Sequence, residues 1–235
     1  LPVDTAWKDG TLSLSLRGAP SAWPVLLDPV VERVEWVKLS PAASPPAVNG
    51  HAMAYDEVNS RVIAFGGIDD TGALSAQTWS FNGTTWTRLS PAHVPPARYY
   101  AAMVFDGRAG QRRLILHSGS DAAGAPLGDT WAWTGTDWQQ LVPVTSPTPA
   151  YAAAMAYDSA SGQVLLFGGY DGGTVLGETW NWTGTNWVQL SPVTVPTAVY
   201  WASMGRDPVT GHAVMFGGTD GGTDFGDTWQ WTGTN

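Results

Sequence analysis

Tyrosines and one tryptophan recur at the same place in repeated copies of one sequence unit. Seven residues before an aspartate that ends an apolar run stand Asn49, Tyr99, Tyr151 and Tyr200. The next column holds Gly50, Tyr100, Ala152 and Trp201. Phenol and indole rings offer a large apolar face with a polar tip, which suits a sugar ring or a partner's loop. Arg98 is the cation beside this group, in a column that otherwise holds Val48, Ala150 and Val199. Asn49, Arg98, Tyr99, Tyr100, Tyr151, Tyr200 and Trp201 are therefore the candidate ligand-binding residues. The other use of such rings is to fill a narrow channel and bridge neighbouring sheets, and at this point both uses stay open.

Acids form two further columns. Asp69, Asp121, Asp171 and Asp220 each lie two residues after a recurring glycine. Gly-x-Asp-Gly-Gly segments can present oxygens to calcium. Aspartate also favours such turns by bonding its own backbone, and an aspartate present in every copy weighs toward the turn. Asp129, Glu178 and Asp227 precede a Thr-Trp pair, and Gln77 takes their place once. An acid replaceable by glutamine reads as a hydrogen-bonding strand residue. The histidines His51, His93, His117 and His212 fall at unrelated places in the unit and lack ligand spacing. No Gly-x-Ser-x-Gly elbow is present. A paired-carboxylate glycosidase stays open, but no pair of acids is singled out. No catalytic residue and no cofactor is expected, and no metal beyond the weak calcium candidates.

These columns must be positioned by short strands. An apolar run ends at Asp56, Asp106, Asp158 and Asp207, and a second ends at Gly67, Gly119, Gly169 and Gly218. Thr78-Trp79, Thr130-Trp131, Thr179-Trp180 and Thr228-Trp229 follow, and Trp86, Trp138 and Trp187 close three of the units. Each landmark recurs after 49 to 52 residues, a period that indicates a propeller blade. In the third copy strands are expected over 152–157, 164–167, 179–182 and 187–190, with glycines at the breaks. One such sheet cannot bury both faces alone, so sheets must stack around an axis. Eleven of the fourteen tryptophans stand at repeat positions, which assigns them to packing between blades. The prolines between units, such as Pro45-Pro46 and Pro95-Pro96, stiffen the crossing from one blade to the next.

The string H/Y-A-M-A-Y-D, then L-F-G-G, then D/E-T-W, then W-x-x-L-S-P resembles the kelch repeat from about residue 36 onward. The resemblance implies an all-β kelch-type propeller with four recognisable four-stranded blade units. It is almost silent on function, because kelch-like propellers include protein-binding domains, sugar-binding domains and a few enzymes. Copper oxidases on such propellers use a tyrosine crosslinked to cysteine, and this chain has no cysteine. Kelch-like rings usually carry more than four blades. Trp36 to Pro41 (WVKLSP) matches a fourth strand, and the last unit reaches Asn235 where its own fourth strand is due. Either Trp36 completes the last blade or the units belong to a larger ring, with self-association as one route to it.

Residues 1–35 do not fit the repeat. Thr11 to Arg17 alternates polar and apolar and reads as a strand, and Trp23 to Val31 reads as a second extended stretch. The segment is either an extended leader or the closing end of a preceding β-sandwich, with the propeller over 36–235. Lys and Arg total 11 against 20 Asp and Glu, and the net charge of −9 argues against a nucleic-acid or anionic-membrane partner. No apolar stretch reaches transmembrane length. The first ten residues lack the apolar core of a signal peptide, and the chain reads as part of a longer or processed polypeptide. Few lysines and abundant Gly, Thr, Ser and Trp suggest an extracellular or cell-surface bacterial protein. The expected function is a non-catalytic recognition or scaffold module binding protein or carbohydrate at the aromatic mouth. The alternatives are a carbohydrate-active hydrolase or epimerase using channel acids, and a purely structural unit.

Overall fold

The computed structural model describes residues 3–8, 11–16 and 37–233. The chain divides into two compact units, Leu1–Lys38 and Leu39–Asn235. In the first, β1 (Val3–Lys8) and β2 (Thr11–Leu16) form an antiparallel hairpin in which Lys8 faces Thr11. The strand expected from Thr11 onward is present, and β1 was not anticipated. The stretch from Trp23 to Val31 lies outside the described residues.

The second unit is a four-bladed β-propeller. Its first blade is β3 (Ala52–Asp56), β4 (Arg61–Phe65), β5 (Thr78–Phe81) and β6 (Trp86–Leu89). The second is β7 (Ala102–Asp106), β8 (Arg113–His117), β9 (Thr130–Trp133) and β10 (Trp138–Leu141). The third is β11 (Ala154–Asp158), β12 (Gln163–Phe167), β13 (Thr179–Trp182) and β14 (Trp187–Leu190). The fourth is β15 (Ser203–Arg206), β16 (Ala213–Phe216) and β17 (Thr228–Gln230). Each blade is an antiparallel meander in which consecutive strands pair. Among the described residues the fourth blade has three strands, and Val37–Pro41 carries no strand.

Side-chain alternation gives each blade two different faces. Leu114, Leu116, Trp131, Trp133 and Trp138 of the second blade pack on Ile63 and Phe65 of the first. Val164, Leu166, Trp180, Trp182 and Trp187 of the third pack on Ile115 and Ala132 of the second. A tryptophan-rich face thus always meets a face of smaller residues. The outer-strand indole locks each junction. Trp138 lies edge-on to Phe65 at 5.3 Å and donates Nε1–H to Thr78 Oγ1 at 2.9 Å. Trp187 repeats this with His117 at 4.9 Å and Thr130 Oγ1 at 3.0 Å. Full burial of a Trp stabilises by a few kcal/mol, and its N–H needs a partner in return, which explains the Thr-Trp landmark.

The inner strands β3, β7, β11 and β15 stand side by side in chain order, but β15 does not pack against β3 as neighbours do. The array is open there. Met53 and Phe216, on the two outward faces, are 55% and 56% exposed. Their counterparts Met155 and Phe167 inside the array are buried.

Candidate functional site

The tyrosine columns sit just before the inner strands. The hairpin register carries on past the strand ends, so Tyr151 bridges Tyr170 as Tyr99 bridges Ser120 and Tyr200 bridges Thr219. The next residue then turns sharply. Gly50, Tyr100, Ala152 and Trp201 have φ of 63°, 55°, 56° and 58°. The inner strands therefore start two residues later than the expected 152, at Ala154 in the third blade. For Tyr and Trp a left-handed backbone costs about 1–2 kcal/mol, and its persistence marks a position held by its surroundings. A relay of hydrogen bonds holds it: Tyr100 N–H donates to Gly50 O at 2.7 Å, Ala152 to Tyr100 O at 2.9 Å, and Trp201 to Ala152 O at 2.9 Å. A Cβ at Gly50 would lie 3.0 Å from the Tyr100 ring, so glycine leaves that ring its place.

The turn brings the rings together at one end of the channel. Tyr100 meets Tyr151 at 6.4 Å, and Tyr151 meets Tyr170 at 5.6 Å. Tyr170 meets Tyr200 at 5.5 Å, Tyr200 meets Trp201 at 4.7 Å, and Trp201 returns to Tyr100 at 5.8 Å. The circuit is closed across three blades, and Tyr99 leans on it at 4.7 Å from Tyr100. The tyrosines are half-buried, and Trp201 is 53% exposed. Burial, followed by the neighbouring phenols Tyr170, Tyr99, Tyr200 and Tyr100, raises the Tyr151 pKa above the ordinary tyrosine value. The five phenols therefore share one electrostatic neighbourhood, and Tyr151 at its centre keeps its proton at physiological pH.

Five of the seven sequence candidates lie in this patch, and two do not share it. Asn49 is exposed in the first blade and bridges Ile68 through its backbone. Arg98 is buried, and its guanidinium is bidentate to Asp129 at 2.6 and 2.7 Å. It also donates to Ser118 O and Pro96 O, so its charge is used inside the blade and not offered at the mouth. Burial works against the Asp129 carboxylate, but Arg98 and the Trp131 indole outweigh it and hold its pKa below the usual range. The acid column plays the same part in successive blades. Gln77, Asp129 and Glu178 each accept from the indole two residues on, at 2.9, 2.6 and 2.9 Å. This is why glutamine serves in one copy.

Sequence reasoning missed Tyr170. It stands in a column with Ile68, Ser120 and Thr219, where nothing marks it. Counting outward from the pair Ala154↔Phe167 by equal steps reaches Tyr151 and Tyr170 together, and that register was the available signal.

The calcium candidates close turns. The Oδ1 of Asp69, Asp121, Asp171 and Asp220 each accepts from two backbone N–H groups within the next four residues, at 2.6–2.9 Å. No group of three potential metal-binding side chains occurs among the described residues. Deeper in, the inner strands border a cavity of about 260 Å³. Glu57 is the acid in its lining, beside Tyr55, Tyr157 and Arg206. His117 is fully buried in the second blade, with Nδ1 3.0 Å from Thr130 Oγ1.

No protein-family model and no curated protein matches the chain. The geometry of the site must carry the functional reading.

Proposed function

We propose that the chain is a kelch-like recognition module of an exported bacterial protein that binds carbohydrate at its aromatic mouth, without catalysis. The closed circuit of Tyr100, Tyr151, Tyr170, Tyr200 and Trp201 carries this reading. It combines ring faces for the C–H side of a sugar with clustered phenol hydroxyls for its own hydroxyls. The bulky residues kept at positive φ support it further, because strain of that kind concentrates at ligand clamps. A net charge of −9 fits a neutral ligand better than an anionic one. The kelch resemblance and the composition support the family and the exported location.

The test is a glycan and oligosaccharide screen with a Tyr151→Ala, Tyr200→Ala double variant beside the parent. The reading requires binding by the parent that weakens by about 2 kcal/mol or more per ring removed, with circular dichroism unchanged. No binding by a folded parent would return the rings to channel filling. Turnover of a bound glycan would replace the module by an enzyme.

A further inference from the structure

The charges of the propeller are divided between its two ends. At the mouth, each tyrosine column bridges a residue that is followed at once by an aspartate. Tyr99 bridges Ser120 before Asp121, Tyr151 bridges Tyr170 before Asp171, and Tyr200 bridges Thr219 before Asp220. These acids therefore stand on the loops around the aromatic circuit. A Cβ placed on Gly221, next to Asp220, would lie 3.6 Å from the Tyr200 hydroxyl. In each of the three carboxylates Oδ1 accepts from the turn, while Oδ2 has no hydrogen-bond partner among the described residues. None of the three forms an ion pair there either. The N–H groups of Thr174 and Gly173 hold the Asp171 carboxyl below its ordinary pKa, and those of Gly222 and Thr223 do the same for Asp220. Both are ionised at physiological pH.

No lysine or arginine of residues 39–235 offsets this charge at the mouth. Arg98 is turned inward to Asp129. Arg61 and Arg113 stand opposite Asp56 and Asp106, the last residues of their inner strands, and Arg206 ends β15. Arg108 and Arg112 lie in the turn between β7 and β8, and Arg88 is on the outer strand β6. A five-residue inner strand separates the two ends by about 13 Å. Physiological salt screens exposed charges beyond about 8 Å, so the arginine end does not cancel the acidic one.

The circuit of rings favours the same sign. Tyrosine and tryptophan faces carry the negative side of the ring quadrupole, and a cation seated over the circuit lies within about 6 Å of several centroids at once. Phenol oxygens also accept from N–H groups.

We infer that the mouth selects glycans whose hexosamines carry free, protonated amines over their N-acetylated forms. The inference rests on the carbohydrate reading above and names the class of sugar. The ring faces take the C–H side of the sugar, and the ammonium sits over the circuit, where phenol oxygens and the Oδ2 atoms of Asp171 and Asp220 accept its protons. N-acetylation removes the charge and two of the three N–H donors.

Isothermal titration calorimetry tests this with oligomers of glucosamine and of N-acetylglucosamine, equal in length and linkage. The parent should bind the amine form roughly tenfold tighter or more. That advantage should shrink to roughly threefold or less as salt approaches about 1 M, where the screening length is about 3 Å. An Asp171→Asn, Asp220→Asn double variant keeps an Oδ1 for each turn and should shrink it likewise, with melting curves confirming the fold. Tyr151→Ala, Tyr200→Ala retains every charge and should lose the amine form. Equal or tighter binding of the N-acetylated oligomer overturns the inference and leaves the carbohydrate reading, as does a neutral glycan that binds when neither oligomer does. Amine binding that survives loss of the two rings is diffuse attraction to an acidic protein and overturns it too. So does an advantage unchanged by salt or in the folded Asn variant. A folded parent that binds no glycan removes the inference together with the reading beneath it.

Discussion

Trp201 shows most plainly how a single residue separates stability from function. Its left-handed backbone favours glycine, while its ring touches Tyr100 and Tyr200. Trp201→Gly removes about 1–2 kcal/mol of strain and a similar amount of ring contact. The melting temperature should stay close to the parent's while glycan binding is lost. Arg98 behaves oppositely. Arg98→Met strands the Asp129 carboxylate and should cost about 3–5 kcal/mol in denaturant unfolding. His117 adds an acid limit. Burial, only partly opposed by Asp129, lowers its pKa to about 4 from the ordinary 6.5. Below 6.5 the unfolded chain takes up a proton that the folded chain refuses. Stability is therefore full above 6.5 and falls with pH toward 4, by about 2 kcal/mol at pH 5. His117→Phe, matching Phe65 and Phe167, should remove that loss, as melting at pH 7 and pH 5 will read.

At the scale of the element, the unit of stability is the junction between blades and not the blade. Thr130 Oγ1 accepts from the Trp187 indole and meets His117 Nδ1. Thr130→Val keeps the shape and leaves two buried nitrogens short of a partner, at about 1–3 kcal/mol each. Thermal unfolding should show the loss without a change in strand content. Stacked repeats are stabilised by their neighbours, so strands covered on both faces are the best protected. β9 is buried throughout, whereas β15 and β17 are largely exposed. Hydrogen exchange should therefore be slowest in β8, β9, β12 and β13 and faster in β15 and β17.

At the scale of the whole propeller, the aromatic mouth is a product of several blades acting together. The hydrogen-bond relay that tilts the mouth rings passes from blade to blade, from Gly50 through Tyr100 and Ala152 to Trp201. Much of this was legible in advance. The repeat marked the strands to within two residues, and the Thr-Trp pairs marked the packing between blades. Five mouth residues were found from columns alone. Arg98 was placed with them because a column shows position and not direction: its side chain turns inward to Asp129, thirty-one residues away. Tyr170 was passed over because its partner lies on another strand.

Local chemistry determined the repeat, the turns at Asp69, Asp121, Asp171 and Asp220, and the all-β architecture, because alternation, glycine and aspartate act over a few residues. Tertiary structure alone decided which rings touch, where the Arg98 charge goes and that β15 stops short of β3. These depend on side-chain direction and on the angle between sheets. Both are set by packing across blades, between residues about fifty positions apart.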